Sequence, residues 1–360
     1  MINHKHTEET EINFSKIEER LLQINDPNLF TNFEFGRKAR YLFRDVPTLI
    51  VATGGSKAAA HYLKMFLESI ETLCEVIEPR DYFHKRNINQ FKNLIVLSSS
   101  GKSNGLLEIL RNFHGSSYLI TSEYVRQEDD YTHTAGYFKN ESTPLFDILY
   151  WSNGKYKNRE KSFISIIPTL APMLMFLELS ILKETKKGEL SSEDLMKING
   201  KLKQLLEKSK NRINNLNFNF KDTNLIQIMS GYDTTCSSSI LESNMIETGT
   251  SSVVVHDKGS YCHGRSNLLF QNPGSPIIYL AHQMKDLDNE LLPVLTQEYP
   301  NIFLFHTLDE DVSIFWKEYY LAIQMYFLSK KIAEDKGIDL TMPEYNPQVV
   351  KKLYRYKGEM

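Results

Sequence analysis

The chain has 360 residues, of which 41% are hydrophobic, and its formal net charge is −3. This length exceeds a typical single domain and predicts either two domains or a duplicated α/β unit. Because Lys and Arg are scattered among Asp and Glu, the sequence offers no basic surface for nucleic acid.

The first half alternates short apolar runs with helical segments. The run TLIVAT is followed by a GGS turn and by KAAAHYLKMFLESIE, which is rich in helix-forming residues. CEVIEP, NLIVLSSS and SSYLITS read as three further strands, with the helical NGLLEILRNF between the last two. This alternation predicts a parallel sheet that is covered by helices on both faces.

Two helical segments follow the first half, and the plan of strand, glycine turn and helix is then repeated in the second half. FISIIPTLAPMLMFLELSIL contains two prolines and a glutamate, and reads as a buried core helix rather than a membrane span. After a charged helical stretch, NLIQIMSGYDTTCSSSILESNMIE gives strand, glycine turn and helix, and SSVVVHD, SPIIYLAH and NIFLFHT supply more strands. The sequence therefore predicts two tandem α/β sandwiches.

The cysteines and the first residues bear on the compartment. Cys74, Cys236 and Cys262 fit neither a zinc-ligand spacing nor a disulfide framework, so we expect free thiols in a reducing environment. The polar, acidic start of the chain has no signal-peptide pattern. We expect a cytoplasmic protein that needs no metal or other cofactor.

The stretch NLIVLSSSGKSNGLLEILR, residues 93–111, is the first candidate site. A buried parallel strand would place its serines at the carboxyl edge of the sheet, where open α/β sheets bind ligands. The following helix N-terminus and the hydroxyls favour a phosphate group. The loop lacks the first glycine of GxxxxGK[ST], so a nucleoside triphosphate is not indicated. The alternative is that Ser and Gly merely cap the helix.

The segments LIVATGGSKAAAHYLKMFLE and LIVLSSSGKSNGLLEILR, and the spacing between them, resemble the paired sugar-phosphate loops of the sugar isomerase (SIS) family. Within the family they most resemble the isomerase half of glucosamine-6-phosphate synthase. The resemblance implies two SIS-type αβα sandwiches of flavodoxin-like topology. It also implies a set of phosphate-binding residues: Gly55, Ser56, Ser98, Ser99, Ser100 and Ser103. Gly54 and Lys102 are expected to contact the substrate as well.

Three residues of these loops depart from the family pattern. Gly55 replaces a hydroxyl residue, Ser103 replaces threonine, and Lys102 stands where an acidic residue is usual. The first and third departures concern the identity of the sugar, and neither removes the case for phosphate.

The second half resembles the catalytic part of the family. Glu247 lies sixteen residues before His263 in CHGR, which matches the spacing between the family's catalytic glutamate and the histidine of its HGP motif. The family's helix lysine falls on Asn244. Its earlier glutamate falls on Ile240, or on Glu242 after a two-residue shift. The alternatives are an exposed helix-end carboxylate for Glu247 and a turn histidine for His263.

Two further segments resemble family elements. REKSFISIIPTLAPML would place Ser162 near the substrate, although Lys and Ser also make an ordinary helix N-terminus. The closing KGIDLTMPEYNPQVVKKLYRYKG resembles the family's tail, in which a lysine, here Lys351 or Lys352, reaches the active site. The cluster HDKGSYCHGR matches no zinc pattern, so no metal site is expected there.

These observations predict an enzyme acting on a sugar phosphate: an aldose/ketose 6-phosphate isomerase, or an amino-sugar-phosphate deaminase or deglycase. Proton transfer at C1 and C2 needs a base, a proton shuttle and an anchored phosphate. The alternative is a non-catalytic regulatory protein that binds a sugar phosphate. The family resemblance also implies a homodimer with shared sites, in which His263 of one subunit completes the pocket of the other. We expect no nucleic-acid or membrane partner.

The predicted domain organisation has five segments. They are a helical extension (1–44), a first SIS domain with the phosphate loops (45–190), a linker helix (191–220), a second SIS domain (221–335) and a tail that closes the site (336–360).

Overall fold

The computed structural model describes residues 46–84, 87–98, 104–121, 147–150, 164–187, 190–307 and 312–340. The described residues up to 150 form one compact unit, the first unit, and those from 164 onward form a second unit. Each unit has an α/β fold around a parallel sheet. Within the described ranges, no helix combines the length and the apolar character that crossing a membrane requires.

The first unit contains a five-stranded sheet in the order β2-β1-β3-β4-β5, and every neighbouring pair is parallel. Its strands are β1 (Thr48–Ala52), β2 (Cys74–Ile77), β3 (Asn93–Leu97), β4 (Ser116–Thr121) and β5 (Asp147–Tyr150). Its helices are α1 (Ser56–Ser69), α2 (Pro79–His84) and α3 (Asn104–Asn112).

The central strands of this sheet are buried along their whole length. All residues of β1 and β3 are buried, which explains why both strands are continuous apolar runs rather than alternating patterns. On one face, side chains of β1 and β3 form a core with the apolar side of α3. The members of this core include Leu49, Val51, Leu94, Val96, Leu106, Ile109 and Leu110.

The second unit contains a four-stranded parallel sheet in the order β7-β6-β8-β9. Its strands are β6 (Leu225–Ser230), β7 (Ser252–Asp257), β8 (Ile277–Ala281) and β9 (Ile302–His306). Its helices are α4 (Ile167–Thr185), α5 (Ser192–Asn214), α6 (Thr235–Glu247), α7 (Asn267–Gln271), α8 (Asp286–Glu298) and α9 (Ile314–Lys336). This strand order repeats that of the first four strands of the first unit.

Helix α4 is the long apolar helix of the sequence, and most of its residues are buried. It packs against α9: the hydroxyl of Tyr319 donates to the carbonyl of Leu170 over 3.3 Å, and that of Tyr326 donates to the carbonyl of Ser165 over 2.7 Å. The helix therefore belongs to the second unit, although its sequence lies within the range 45–190 assigned above to the first domain. The four boundaries between the five predicted segments stay predictions.

Candidate functional site

Strands β1 and β3 form the centre of the candidate site in the first unit. They are direct neighbours in register, with Ala52 opposite Leu97. The chain continues from β1 to β2 on one side of the sheet, and from β3 to β4 on the other. The crevice beyond the carboxyl ends of β1 and β3 is therefore the topological switch point, where open α/β sheets bind their ligands.

The glycine turn after β1 begins at this edge. Gly54 has φ +55°, a left-handed conformation that favours glycine, and its carbonyl accepts a 2.9 Å hydrogen bond from the amide of Lys57. Gly55 is right-handed, with φ −56° and ψ −25°, and Ser56 is the first residue of α1. The first turn of α1 carries no acidic residue, so its amides and helix dipole present a positive end to the crevice.

The second loop leaves β3 at the same edge. Ser98 directly follows β3, is buried, and donates its amide to the carbonyl of Ile120 in β4 over 3.0 Å. Helix α3 begins at Asn104. The described residues thus give both ends of the serine loop. The other predicted site residues lie outside the described ranges: Ser99, Ser100, Lys102, Ser103, Ser162, Lys351 and Lys352.

An ion pair at this edge was not predicted from the sequence. Lys57 Nζ lies 2.9 Å from Oε1 of Glu78, which directly follows β2, and the two side chains are 41% and 50% exposed. A pair this exposed contributes roughly 1 kcal/mol or less to stability. The sequence feature that could have indicated this ion pair is Lys57, which follows the GGS turn at a position where a cation can lie beside a bound anion.

Glu247 lies at the amino-terminal ends of the strands of the second sheet, and His263 lies beyond their carboxyl ends. Helix α6 starts beyond the carboxyl end of β6 and ends at Glu247, which is exposed and accepts a 2.6 Å hydrogen bond from the hydroxyl of Ser243. Strand β7 then crosses the sheet, roughly 15–20 Å at about 3.3 Å per residue, before the chain reaches His263. One chain therefore does not bring these two side chains together.

His263 sits in a tight turn. The following Gly264 has φ +98°, which matches the turn expected from the sequence, and His263 is exposed.

The helix positions where the family has a lysine and an earlier glutamate are part of the core here. Asn244 is buried and its side-chain amide donates to the hydroxyl of Ser329 over 3.1 Å, while Ile240 is 2% exposed. Glu242, on the same helix, is partly exposed. Asn244 and Ile240 therefore have structural contacts that leave them no access to a substrate.

The switch point of the second sheet, between β6 and β8, is occupied by side chains of the protein. Oε1 of Glu318 accepts the amide of Ser237, in the first turn of α6, over 2.7 Å. Nε2 of His282 donates to the carbonyl of Asp233 over 2.8 Å and lies 3.1 Å from Oε2 of Glu318. Burial raises the pKa of Glu318, and its contacts with His282 and Ser237 oppose that rise. This cluster was not predicted, because Glu318 lies within an ordinary helical pattern.

The residues of HDKGSYCHGR are dispersed. His256 is buried with its Nε2 3.0 Å from Oε1 of Gln227, Asp257 accepts a backbone amide of the next turn, and Cys262 and His263 are exposed. In the part of the chain that the structure describes, no group of three or more His, Cys, Asp or Glu side chains could hold a metal ion.

No protein-family model and no curated protein matches the chain, but many solved structures do. Glucosamine-6-phosphate deaminase from Thermotoga maritima is 16% identical, with a TM-score of 0.67 over 93% of this chain and 97% of that one. The C-terminal domain of glucosamine-fructose-6-phosphate aminotransferase from Francisella tularensis is 16% identical, with a TM-score of 0.63 over 90% and 95%.

Tagatose-6-phosphate ketose/aldose isomerase from Escherichia coli is 11% identical, with a TM-score of 0.62 over 88% of this chain and 91% of that one. Identities this low establish the fold and not the reaction. The resemblance drawn from the two loops is therefore confirmed at the level of architecture: the chain has the fold of the sugar isomerase (SIS) structures.

Proposed function

We propose that the chain binds a sugar phosphate at the β1/β3 switch point and catalyses proton transfer at C1 and C2, as an isomerase or as an amino-sugar-phosphate deaminase or deglycase. The observation that carries this proposal is the convergence of a left-handed glycine turn, a helix N-terminus and the buried Ser98 at one sheet edge. The three solved structures reported above are named for reactions of 6-phosphorylated sugars, which supports the substrate class.

The phosphate contacts are assigned to both loops of the first unit. Backbone amides and hydroxyls there can donate several charge-assisted hydrogen bonds to a dianion, as helix N-termini do. The proposed phosphate-binding residues are Gly55, Ser56, Ser98, Ser99, Ser100 and Ser103. Gly54, Lys102, Ser162 and Glu242 are proposed to contact the rest of the substrate.

The proton-transfer groups are assigned to the second half of the chain. Glu247 is proposed as the base at C1 and C2, because it is an accessible carboxylate at a helix end. His263 is proposed to open the sugar ring, and Lys351 or Lys352 to approach the substrate from the tail. No cofactor is assigned to this chemistry.

A homodimer accounts for the separation of Glu247 from His263. We propose that the partner subunit's His263 completes each pocket, since within one chain the two residues lie at opposite edges of the second sheet. The exposure of both side chains supports a role across subunits.

The proposal also includes the topology of the two sheets and the domain boundaries. The strand order 2-1-3-4-5 is that of flavodoxin-like doubly wound sheets, and the second sheet follows it for four strands. We propose two tandem sandwiches of this type with the boundaries given above, in a cytoplasmic protein without a nucleic-acid or membrane partner.

A non-catalytic sugar-phosphate-binding regulator is the second candidate. One observation favours it: Asn244 and Ile240, which stand at the family's lysine and glutamate positions, are core residues. A regulator would need the phosphate loops and not these two groups.

Solvent exchange distinguishes the two candidates. A panel of aldose, ketose and amino-sugar 6-phosphates is incubated with the chain in deuterated water, and deuterium at C1 and C2 is followed by NMR. Glu247→Gln should bind the same compound but lower the exchange rate by a factor on the order of 10² to 10⁴. Glu298→Gln, an exposed glutamate that also ends a helix, is the matched control and should keep the rate.

Each outcome has a defined meaning. Binding without exchange, without a new sugar and without free amine establishes the regulator. Equal exchange by wild type and Glu247→Gln retains the enzyme, removes Glu247 as the base and leaves Glu242 as the next candidate. A failure of every phosphosugar to bind rejects the proposal.

A further inference from the structure

Helix α6 ends in a defined turn directly after Glu247. The amide of Thr250 donates to the carbonyl of Met245 over 2.9 Å. The amide of Gly249 donates to the carbonyl of Ile246 over 3.1 Å. Gly249 has φ +65°, so these two hydrogen bonds form the Schellman motif that ends many helices. The backbone on the C-terminal side of Glu247 is therefore held in one conformation.

Buried hydroxyl groups anchor this turn. Thr248 and Thr250 are both buried, and their hydroxyl oxygens lie 2.6 Å apart. The hydroxyl of Thr248 also donates to the carbonyl of Asn244 over 2.6 Å. Asn244 is in turn bonded to Ser329 of α9. The end of α6 is thus attached to the core of the second unit, and so is the backbone that carries Glu247.

The side chain of Glu247 has a partner as well. The hydroxyl of Ser243, one turn earlier on α6, donates to Oε1 of Glu247 over 2.6 Å. Among the described residues, this hydroxyl is the only hydrogen-bond or ion-pair partner of the carboxylate, and Oε2 has none. A hydroxyl that donates to a carboxylate forms a charge-assisted hydrogen bond, and this bond restricts the rotamers of a long side chain.

We propose that Ser243 is a positioning residue for the proposed base. The inference rests on the proposed function, in which the carboxylate of Glu247 takes a proton from C1 or C2. Ser243 holds Oε1, so Oε2 receives the proton, while the electron pair of the C–H bond stays on the substrate. Because a misplacement of about 1 Å can lower a rate by about 10²-fold, a carboxylate held in one orientation should transfer the proton faster.

Exchange kinetics in deuterated water, with the panel of 6-phosphates described above, test this role. Ser243→Ala should lower kcat by roughly threefold to tenfold and leave KM within about twofold of wild type, because the phosphate contacts are assigned to the first unit. Alanine forms helices better than serine, so a loss of α6 does not account for this result. Ser243→Thr keeps the hydroxyl and should restore kcat to within about twofold of wild type.

Two further variants show whether the serine acts through Glu247. Ser239→Ala is the matched control, since Ser239 lies one turn before Ser243, is also partly exposed and bonds no carboxylate among the described residues. It should keep kcat and KM within about twofold of wild type. Ser243→Ala added to Glu247→Gln should change kcat by less than about twofold, because the group that it positions is already absent.

The outcomes separate this inference from the proposed function. If Glu247→Gln lowers kcat and Ser243→Ala does not, the inference alone is overturned. It is also overturned if Ser243→Thr is as slow as Ser243→Ala, or if Ser243→Ala slows wild type and Glu247→Gln by the same factor. If wild type exchanges no compound of the panel, or Glu247→Gln exchanges at the wild-type rate, the assignment of the base fails and this inference fails with it. Circular dichroism establishes that each variant is folded.

Discussion

Neighbouring glycines in the turn after β1 differ in backbone conformation, and this difference makes a sharp prediction. Gly54 is left-handed with φ +55°, whereas Gly55 has φ −56° and ψ −25°, which any residue adopts. Gly54→Ala should therefore destabilise the first unit. Gly55→Ala should leave it unchanged or stabilise it.

The magnitudes follow from the two conformations. A side chain in the left-handed region costs about 1–2 kcal/mol, and replacing glycine by alanine recovers about 0.4–1 kcal/mol through the lower entropy of the unfolded chain. The net loss for Gly54→Ala is about 1 kcal/mol, while Gly55→Ala gains about 0.4–1 kcal/mol. Because the entropy gain is common to both variants, they should differ by the left-handed cost alone, roughly 1–2 kcal/mol, or roughly 2–8 °C in unfolding midpoint.

Differential scanning calorimetry of the two variants and of wild type measures this difference. The affinity for a sugar phosphate should fall by about tenfold in Gly54→Ala, because about 1.4 kcal/mol is needed to restore the turn that positions the amides of α1. Gly55→Ala should keep its affinity, since alanine adopts the right-handed conformation of Gly55 and retains the backbone amide. Equal midpoints, or a larger loss in Gly55→Ala, would refute the assignment of the strained position to Gly54.

Further predictions concern the phosphate, the assembly and pH. Ser100→Ala with Ser103→Ala should weaken sugar-phosphate binding by roughly 1–3 kcal/mol per lost bond in calorimetry, with an unchanged midpoint; unchanged affinity would remove the serine loop from the site. Light scattering should show a dimer at micromolar concentration, and a fully active monomer would contradict shared pockets. Burial raises the pKa of Glu178 from 4.5 to about 8, so the folded state holds a proton that the unfolded state releases. Wild-type stability should therefore fall by about 1–3 kcal/mol between pH 5 and pH 8 relative to Glu178→Gln, since partial exposure reduces the full effect of the shift. If urea unfolding gives wild type and Glu178→Gln the same dependence of stability on pH, Glu178 is not protonated in the folded state.

The strands were the most predictable part of the fold. Seven apolar runs predicted as strands, from TLIVAT to NIFLFHT, contain β1 to β4 and β7 to β9, and NLIQIMS contains β6. A strand buried on both faces must be apolar throughout, so a run of only five or six apolar residues is enough to predict it. Strand β5, Asp147–Tyr150, was not predicted, because four residues with a polar start at the sheet edge give no such signal.

The pairing of distant elements could not be derived from periodicity. That β3 lies beside β1, rather than beside the preceding β2, is fixed by packing across the sheet and entered the sequence analysis only through the family resemblance. The same holds for Glu318 and His282, which meet through the docking of α9 on the sheet edge. The turns at Gly54 and Gly264, by contrast, could be predicted from the glycines themselves, because few other residues adopt positive φ.

The carboxylate of Glu318 makes the N-terminal turn of α6 in the second half different from that of α1 in the first half. It accepts an amide in the N-terminal turn of α6, the position that corresponds to the turn of α1 to which we assign the phosphate. The second half thus supplies its own hydrogen-bond acceptor at this turn, whatever the concentration of sugar phosphate. In the proposed function, the first half receives its acceptor from the phosphate of the ligand. Stabilisation by a ligand at the switch points should consequently be confined to the first half, in proportion to the logarithm of the free ligand concentration once the site is saturated.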